Sequence, residues 1–558
     1  MCIRDRITTD SLPLLRDSRD RICYATLSDT DGTVVSTGIL AHDPAQRGDS
    51  EVQLVSSVDR HATLRAMTSA PQTQARTDVR RDAQTQAIAQ TGMGRYHEDF
   101  PVTGDVRTIV LLVEYQDVRF KTHDAAEYYK EFFNSDAFTG NGATGSARQY
   151  FLDSSCGQFR PEFDVYGPVT LPNKRAYYGS SYNEFGMYVG QEPAHLMLRD
   201  AAELLDDTTD FSLYDLDGDG EVENVVIMYA GEGENSAQDI EECVWPHQWR
   251  FTYSGLAAPV HDGVTLDHYA CFNEWVDDHT AGIGTFIHEF SHVMGLPDLY
   301  STRNTALPTT PGRWSVMDRG CYLNDSRTPC AYSAYERLAL GWMEPELLTA
   351  DNAKYTLENL AASNKAYIIE SDDPDDFFLV ENRQNVGWDS ALLGHGMLVW
   401  HVHNDYYAFR GNNVNSDPEH PYVDLIEANN QANLKDDEVM AGYAFPGPAV
   451  TTMLGFNTTP AMKPWTDKDT GIVLCDIAES ADGLLTFEVN GEGAGIGAVT
   501  ADRAALRVDG RRVTAPGRVT VYDITGRRVA CGDGVADIPA PGLYVVETAG
   551  TNAKIVIR

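Results

Sequence analysis

Two histidines four residues apart, His288 and His292, stand in the stretch TFIHEFSHVMGLPDLY, with Glu289 directly after the first. On a helix, residues i and i+4 lie one turn above each other, so both imidazoles can face one metal ion. Glu289 is rotated from His288 by about 100° and reaches a metal-held water rather than the metal. This residue set suits metal-assisted peptide hydrolysis. Zinc lowers the pKa of its water to about 7 and polarises the scissile carbonyl, while a carboxylate takes up the proton and hands it to the leaving amine. The expected roles are zinc ligands for His288 and His292 and general base for Glu289.

A catalytic zinc needs a third protein ligand. Gly295 falls where a helix would stop in a left-handed conformation, and Pro297 bars its continuation. The chain must turn, and Asp298 is the first strong oxygen donor beyond the turn. A carboxylate binds zinc at about 2.0 to 2.2 Å, so Asp298 is the expected third ligand, in a pattern H-E-x-x-H-x-x-G-x-x-D. Glu336 and then Asp318 are its rivals.

The element that positions these groups is a helix over 281–294. Ile283, Ile287, Phe290 and Met294 fall at i, i+4, i+7 and i+11 and form its core face, leaving the histidines on the adjacent stripe. Around it the chain reads as mixed α/β to about Glu346. RTIVLLVEY and NVVIMYA are buried strands, and EPAHLMLRDAAELL is an amphipathic helix with Pro193 near its start. From KYTLENL to LLTFEVN the pattern turns to short alternating segments such as KAYIIES, FFLVENR and GMLVWHVH, a β-rich, sandwich-like region. GEGAGIGAV then leads to a small β unit containing RVTVYDI and GLYVVET.

Ahead of the α/β region, GTVVSTGILAH is β-like. SAPQTQARTDVRRDAQTQAIAQTG has too little apolar content to fold alone and reads as a protease-sensitive linker. The expected organisation is a propeptide remnant and linker over 1–95, a zinc peptidase domain over 96–346, a β-rich accessory domain over 347–491, and a linker with a small β domain over 492–558. The opening MCIRDR resembles the translation of a sequencing adaptor, so the absence of a signal peptide is uninformative.

Composition excludes other function classes. Asp and Glu number 83 against 43 Lys and Arg, a formal charge of −40, which repels nucleic-acid phosphates and anionic membranes. No apolar run is long enough to span a bilayer, and a monomer is expected. The nine cysteines form no C-x-x-C pair, which argues against a cysteine zinc site; Cys321 and Cys330 suit either a disulfide or two buried thiols. DLDGDGEVE sets Asp215, Asp217 and Asp219 at positions 1, 3 and 5 of an EF-like loop. Gly220 stands at the sharp turn, with Glu221 and Glu223 following, so the loop is a candidate structural calcium site. Val226 stands where an EF-hand carries its bidentate Glu. The alternative is a solvated turn. His247, His401 and His403 read as core or surface histidines.

HEFSHVMGLPDLY followed by GRWSVMDRG resembles the immune inhibitor A family of secreted, metzincin-like metallopeptidases. So do SARQYFLDSSCGQFRPEFDVYGPVTLP, YDLDGDGEVENVVIMYAGEGEN, VWPHQW, AYSAYERLALGW and FFLVENRQNVGWDSALLGHGMLVWHVH, which together cover about Phe100 to Asn430. The resemblance implies a zinc endopeptidase made as a precursor, acting on proteins or peptides, with Met317 as the apolar Met-turn residue below the metal. No tyrosine follows Met317 at the spacing of some metzincins. Tyr332 and Tyr335 are weak candidates for that role, and packing suits each better. In the tail, VYDITGRRV, PGLYVV and the terminal KIVIR resemble the C-terminal sorting domain of type IX secretion cargo in Bacteroidota. This implies contact with that machinery and release or surface anchoring. The rival readings are a catalytically silent adhesin or glycan-binding protein, which has no use for Glu289, and a gluzincin-type peptidase with a distant glutamate as third ligand.

Overall fold

The computed structural model describes residues 14–16, 22–27, 34–40, 47, 51, 95, 100–179, 193–237, 242–303, 310–350, 352–491, 507–509, 511–523, 528–548 and 551–557. MCIRDR, the polar linker at 69–92 and the GEGAGIGAV segment lie outside these residues, apart from Gly491. The chain forms two compact units, 1–84 and 85–558. The first contains an antiparallel sheet of β1 (Leu14–Arg16), β2 (Ile22–Leu27) and β3 (Val34–Leu40), the last drawn from the GTVVSTGILAH stretch.

The second unit opens with a mixed sheet. Its strands are β4 (Gly104–Glu114), β5 (Phe159–Thr170), β6 (Val225–Glu232), β7 (His247–Arg250), β8 (His268–Val276) and β9 (His279–Thr280). The order is β9-β8-β6-β4-β5. Strands β8, β6, β4 and β5 run parallel, while β7 and β9 pair antiparallel with β8. A parallel sheet must be covered on both faces, and β4 shows how. Val110 and Leu112 join the core formed with α1 (Ala125–Asn134), α2 (Ala147–Ser154) and α4 (Ile283–Val293). Ile109, Leu111 and Val113 face the opposite layer, where α3 (His195–Leu205) contributes Met197, Leu198 and Ala201.

Two further sheets follow. One has the order β10 (Glu346–Leu347), β12 (Tyr367–Glu370), β13 (Asp376–Arg383), β14 (Gly396–His403), β15 (Val423–Leu425). The other has β11 (Lys354–Leu357), β17 (Leu485–Val489), β16 (Leu474–Glu479). The alternation expected for FFLVENR and GMLVWHVH does not separate core from solvent. Every residue of β13 is buried, because its two faces meet two different cores. Phe378 and Val380 pack toward the three-stranded sheet, whereas Phe377 and Leu379 belong to the same hydrophobic cluster as α4. The β-rich region therefore shares its core with the α/β region.

Buried charge reinforces that seam. Arg383, fully buried, donates from Nε to Asp389 Oδ2 (2.7 Å) and from Nη2 to the Ala331 carbonyl (2.8 Å). Asp389 Oδ1 in turn accepts from Ala331 N (2.9 Å). Near the C-terminus, β18 (Arg507–Asp509), β19 (Arg512–Asp523), β20 (Arg528–Asp537), β21 (Gly542–Thr548) and β22 (Thr551–Ile557) form one antiparallel sheet with a small core including Val519, Val521, Tyr544 and Val546. Among the described residues no helix is long and apolar enough to cross a membrane. Cys321 and Cys330 are two buried thiols that form no disulfide with each other.

Candidate metal centre

Helix α4 sits where the periodicity of its sequence puts it, with Ile283, Ile287, Phe290 and Met294 all buried. Its first turn packs backbone to backbone. Gly284 N donates to Ser326 O (2.8 Å), and a Cβ on Gly284 would lie 1.9 Å from Cys321 O. At its other end Gly295 takes φ +95°, and Leu296 N donates to Ser291 O (2.9 Å), closing the last turn in the left-handed manner glycine permits. The chain reverses and brings Asp298 back over the histidines. Leu299 N donates to Met317 O (2.9 Å), tying this turn to the buried Met317 segment.

The result is a convergence of three buried donors. His288 Nε2 and His292 Nε2 lie 3.2 and 3.1 Å from the same atom, Asp298 Oδ1. Both rings are oriented from behind, His288 Nδ1 by Val316 O (2.9 Å) and His292 Nδ1 by Leu296 O (2.8 Å). A carbonyl can only accept, so each Nδ1 carries a hydrogen, and in the neutral ring the Nε2 lone pair points inward. Asp298 Oδ1 accepts no hydrogen bond although it is buried. Three lone pairs facing one another in a buried site repel unless a cation is shared among them, and this donor set fits a divalent metal ion. Without such an ion, protons must do the same work. Burial opposes charge on both rings, yet the Asp298 carboxylate outweighs it and raises both histidines above their ordinary value. Burial would raise Asp298, but His292 and His288 hold it far below the carboxylate range.

Glu289 lies beside this triad. Burial pushes its carboxyl up to about 6, against the opposing pull of His288 and His292. A cleft of about 590 Å³, lined by Trp245, Gln248, Trp249, Tyr300, Arg410 and Asn412 among others, opens onto His288, Glu289, His292 and Asp298. A second cavity of about 330 Å³, lined by Tyr322 and Leu434, meets it over His288 and Glu289. The edge strand β7, paired only with β8 among the described strands, forms one wall.

The rival ligands are engaged elsewhere. Glu336 is fully buried and completes a capping box with Ser333 at α5 (Ala334–Ala339). Its Oε1 accepts from Ser315 Oγ (2.6 Å). Asp318 Oδ2 accepts from Thr310 Oγ1 (2.6 Å) and Gly312 N (2.7 Å). Tyr332 and Tyr335 are buried in the core, Tyr332 hydrogen-bonded to Ser291, so neither reaches the cleft. Tyr300 lines the cleft and Tyr322 the second cavity, and Tyr300 stacks on His288 at 6.2 Å. His247 bonds Tyr269 Oη (2.8 Å), His401 bonds Asp376 (2.7 Å) and His403 bonds His420 (2.7 Å).

In the Asp/Gly loop the carboxylates of Asp215, Asp217 and Asp219 have oxygens within 4.8 Å of one another. Asp215 Oδ1 accepts from Gly218 N and Asp219 N, and Glu223 Oε1 from Leu216 N and Asp217 N. Glu221 turns away, its side chain grouping with Asp267 and His268. The residues sequence reasoning missed are Tyr300, Trp245, Trp249 and Asn412. Tyr300 stood within the metal-binding stretch itself, whereas nothing local marks Asn412, which lies 114 residues from its partner Asp298.

Residues 103–342 match the family described as immune inhibitor A peptidase M6, catalytic domain. The chain is 24% identical over 381 residues to "Immune inhibitor A" of Bacillus thuringiensis subsp. alesti, covering 59% of this chain and 53% of that protein. It is 24% identical over 249 residues to "Pre-pro-metalloprotease PrtV" of Vibrio cholerae serotype O1, covering 41% of this chain and 27% of that protein. With "Putative secreted metallopeptidase" of Arthroderma benhamiae it shares 25% identity over 225 residues, covering 35% of this chain and 31% of that protein. The matched region thus spans about half the length of the first relative and about a third or less of the others.

Proposed function

We propose, for a chain that carries an M6 peptidase catalytic domain at residues 103–342, that it is a secreted zinc endopeptidase. In this reading His288, His292 and Asp298 hold the metal, Glu289 is the general base and Met317 is the apolar floor. The observation that carries the reading is the meeting of two ring nitrogens on the one unpartnered oxygen of Asp298, with Glu289 alongside. A bound zinc supplies Lewis acidity toward water and toward the scissile carbonyl. Glu289, buried beside the proposed ligands, stands where a general base can accept a proton from the water and return it to the leaving nitrogen. Strand β7 lines one wall of the cleft, and the Gln248 backbone bonds the Glu289 carboxyl, which ties the strand to the proposed base. The two cavities that meet at His288 and Glu289 together leave room for a peptide segment rather than a chain end alone.

Two accessory roles belong to the same proposal. The Asp215, Asp217 and Asp219 loop binds a structural calcium ion, and the tail over 492–558 acts as a type IX export signal that leaves the protein released or surface-anchored. Support for the loop is electrostatic, since its clustered carboxylates repel one another without a cation.

The deciding experiment is zinc analysis of the purified full chain coupled to casein degradation, for the wild type and Glu289→Gln. Zinc should be retained in both, while degradation by the variant falls by about 10²- to 10⁴-fold, the usual contribution of general acid-base catalysis. Equal degradation by the two proteins would remove the hydrolytic assignment. Zinc retained with neither protein active would favour a silent surface protein.

A further inference from the structure

We infer that Asn412, supplied by the β-rich region, is a positioning residue for the metal centre: its side-chain amide clamps Asp298 in the orientation that aims Oδ1 at the two imidazoles. The inference rests on the zinc reading above. Asn412 Nδ2 donates to Asp298 Oδ2 (2.7 Å), and Asn412 Oδ1 accepts from Asp298 N (2.8 Å). One side chain thus holds the backbone and the carboxylate of the same residue. A backbone N–H can only donate, so the Asn412 oxygen must face it, which directs the NH₂ group at the carboxylate. The contact occupies Oδ2 and leaves Oδ1 for the ring nitrogens. Asparagine carries the required donor and acceptor together, aspartate carries only acceptors when ionised, and alanine carries neither.

The clamp is itself braced. Asn412 adopts φ +49°, a left-handed conformation that asparagine tolerates better than most residues. Its carbonyl accepts from Thr302 Oγ1 (2.8 Å), and its N–H donates to Phe409 O (3.0 Å). Phe409 is buried in the cluster that contains α4. Three residues on, the fully buried Asn415 donates from Nδ2 to Leu299 O (2.8 Å) and accepts from Val423 N (3.1 Å). One loop therefore grips Asp298 and Leu299 in succession and is anchored to β15. The M6-matched segment ends at residue 342, so on this geometry a complete metal centre needs residues beyond it. Partners that orient metal ligands typically govern affinity by about 10- to 100-fold.

The test measures zinc affinity of the full chain by competition with a chromogenic chelator, beside thermal melting of the metal-free protein, for wild type, N412A, N412D and D298A. The expected result for N412A is a zinc Kd raised about 10- to 100-fold, beyond what any fall in the metal-free melting temperature accounts for. N412D keeps the backbone contact but turns a carboxylate toward a carboxylate, and should weaken zinc further. At saturating zinc, kcat should fall in both variants with KM little altered. An N412A affinity within about twofold of wild type, or a fall in metal-free melting temperature that accounts for the whole loss, overturns the inference. Should N412A fail to fold, N412D decides: unchanged zinc affinity there refutes the clamp. Zinc lost in D298A but kept in N412A defeats the clamp alone, whereas zinc kept in D298A defeats the ligand assignment beneath it.

Discussion

Replacing Gly284 by alanine sets two effects of opposite sign against each other. Within a helix, alanine is favoured over glycine by about 1 kcal/mol, so propensity alone predicts a gain in stability. Packing predicts the reverse. The added Cβ would stand 1.9 Å from Cys321 O and 2.9 Å from its carbonyl carbon, both backbone atoms that no rotamer change can move. A relaxed carbon to oxygen contact is about 3.3 Å, so α4 and the 321–326 loop must separate by roughly 1.4 Å. That displacement stretches the Gly284 N to Ser326 O hydrogen bond, now 2.8 Å and worth about 1 kcal/mol net. Overpacking typically costs about 1 to 3 kcal/mol, and an immovable neighbour places this case toward the upper end. After the propensity gain is subtracted, a net loss of about 1 to 3 kcal/mol remains. Because His288 lies one turn further along the same helix, a misplacement of about 1 Å should also lower kcat/KM by about 100-fold. Urea unfolding and casein hydrolysis on the same G284A preparation check both numbers. A variant that unfolds at or above the wild-type midpoint with full activity would show that the loop yields freely, and the reasoning would fail.

D389A leaves the fully buried Arg383 with Glu381 as its remaining carboxylate partner and should cost about 3 to 5 kcal/mol in urea unfolding; a loss below about 1 kcal/mol would refute the seam as a stabilising element. Asp318 gives a pH prediction. Burial raises its carboxyl to about 6 from an ordinary 3.8, so the native state binds this proton more tightly than the unfolded chain. The associated stability is full below about pH 4 and is lost as pH rises through about 6. D318N, which has no proton to lose, should therefore gain on the wild type across that window by up to about 3 kcal/mol, and parallel unfolding curves at pH 4 and pH 7 would contradict it. For the Asp/Gly loop, calcium at 100 times its Kd should stabilise the wild type by about 2.7 kcal/mol, and D217A should abolish that shift without changing zinc content. A calcium-free preparation whose melting curve ignores millimolar calcium would reduce the loop to a turn.

Much of the centre was legible because its logic is local. The i, i+4 spacing of His288 and His292, the apolar stripe from Ile283 to Met294, and the glycine and proline that force a turn before Asp298 are all consequences of helix geometry over fewer than twenty residues. Strand identity in RTIVLLVEY and NVVIMYA followed from apolar runs in the same way. Sequence left the choice among Asp298, Glu336 and Asp318 open, because each is a carboxylate within reach of a loop whose direction no local rule sets. Tertiary structure decided which stands beside the imidazoles: Glu336 is drawn into the cap of α5, Asp318 into the Thr310 and Gly312 turn, and Asp298 alone faces Nε2 of both rings. It also decided that β13 is buried on both faces and that Asn412 reaches Asp298 across 114 residues. Those outcomes arise from packing two cores against one sheet. Contacts between chain-distant residues depend on the whole fold, and spacing along the sequence carries no trace of them.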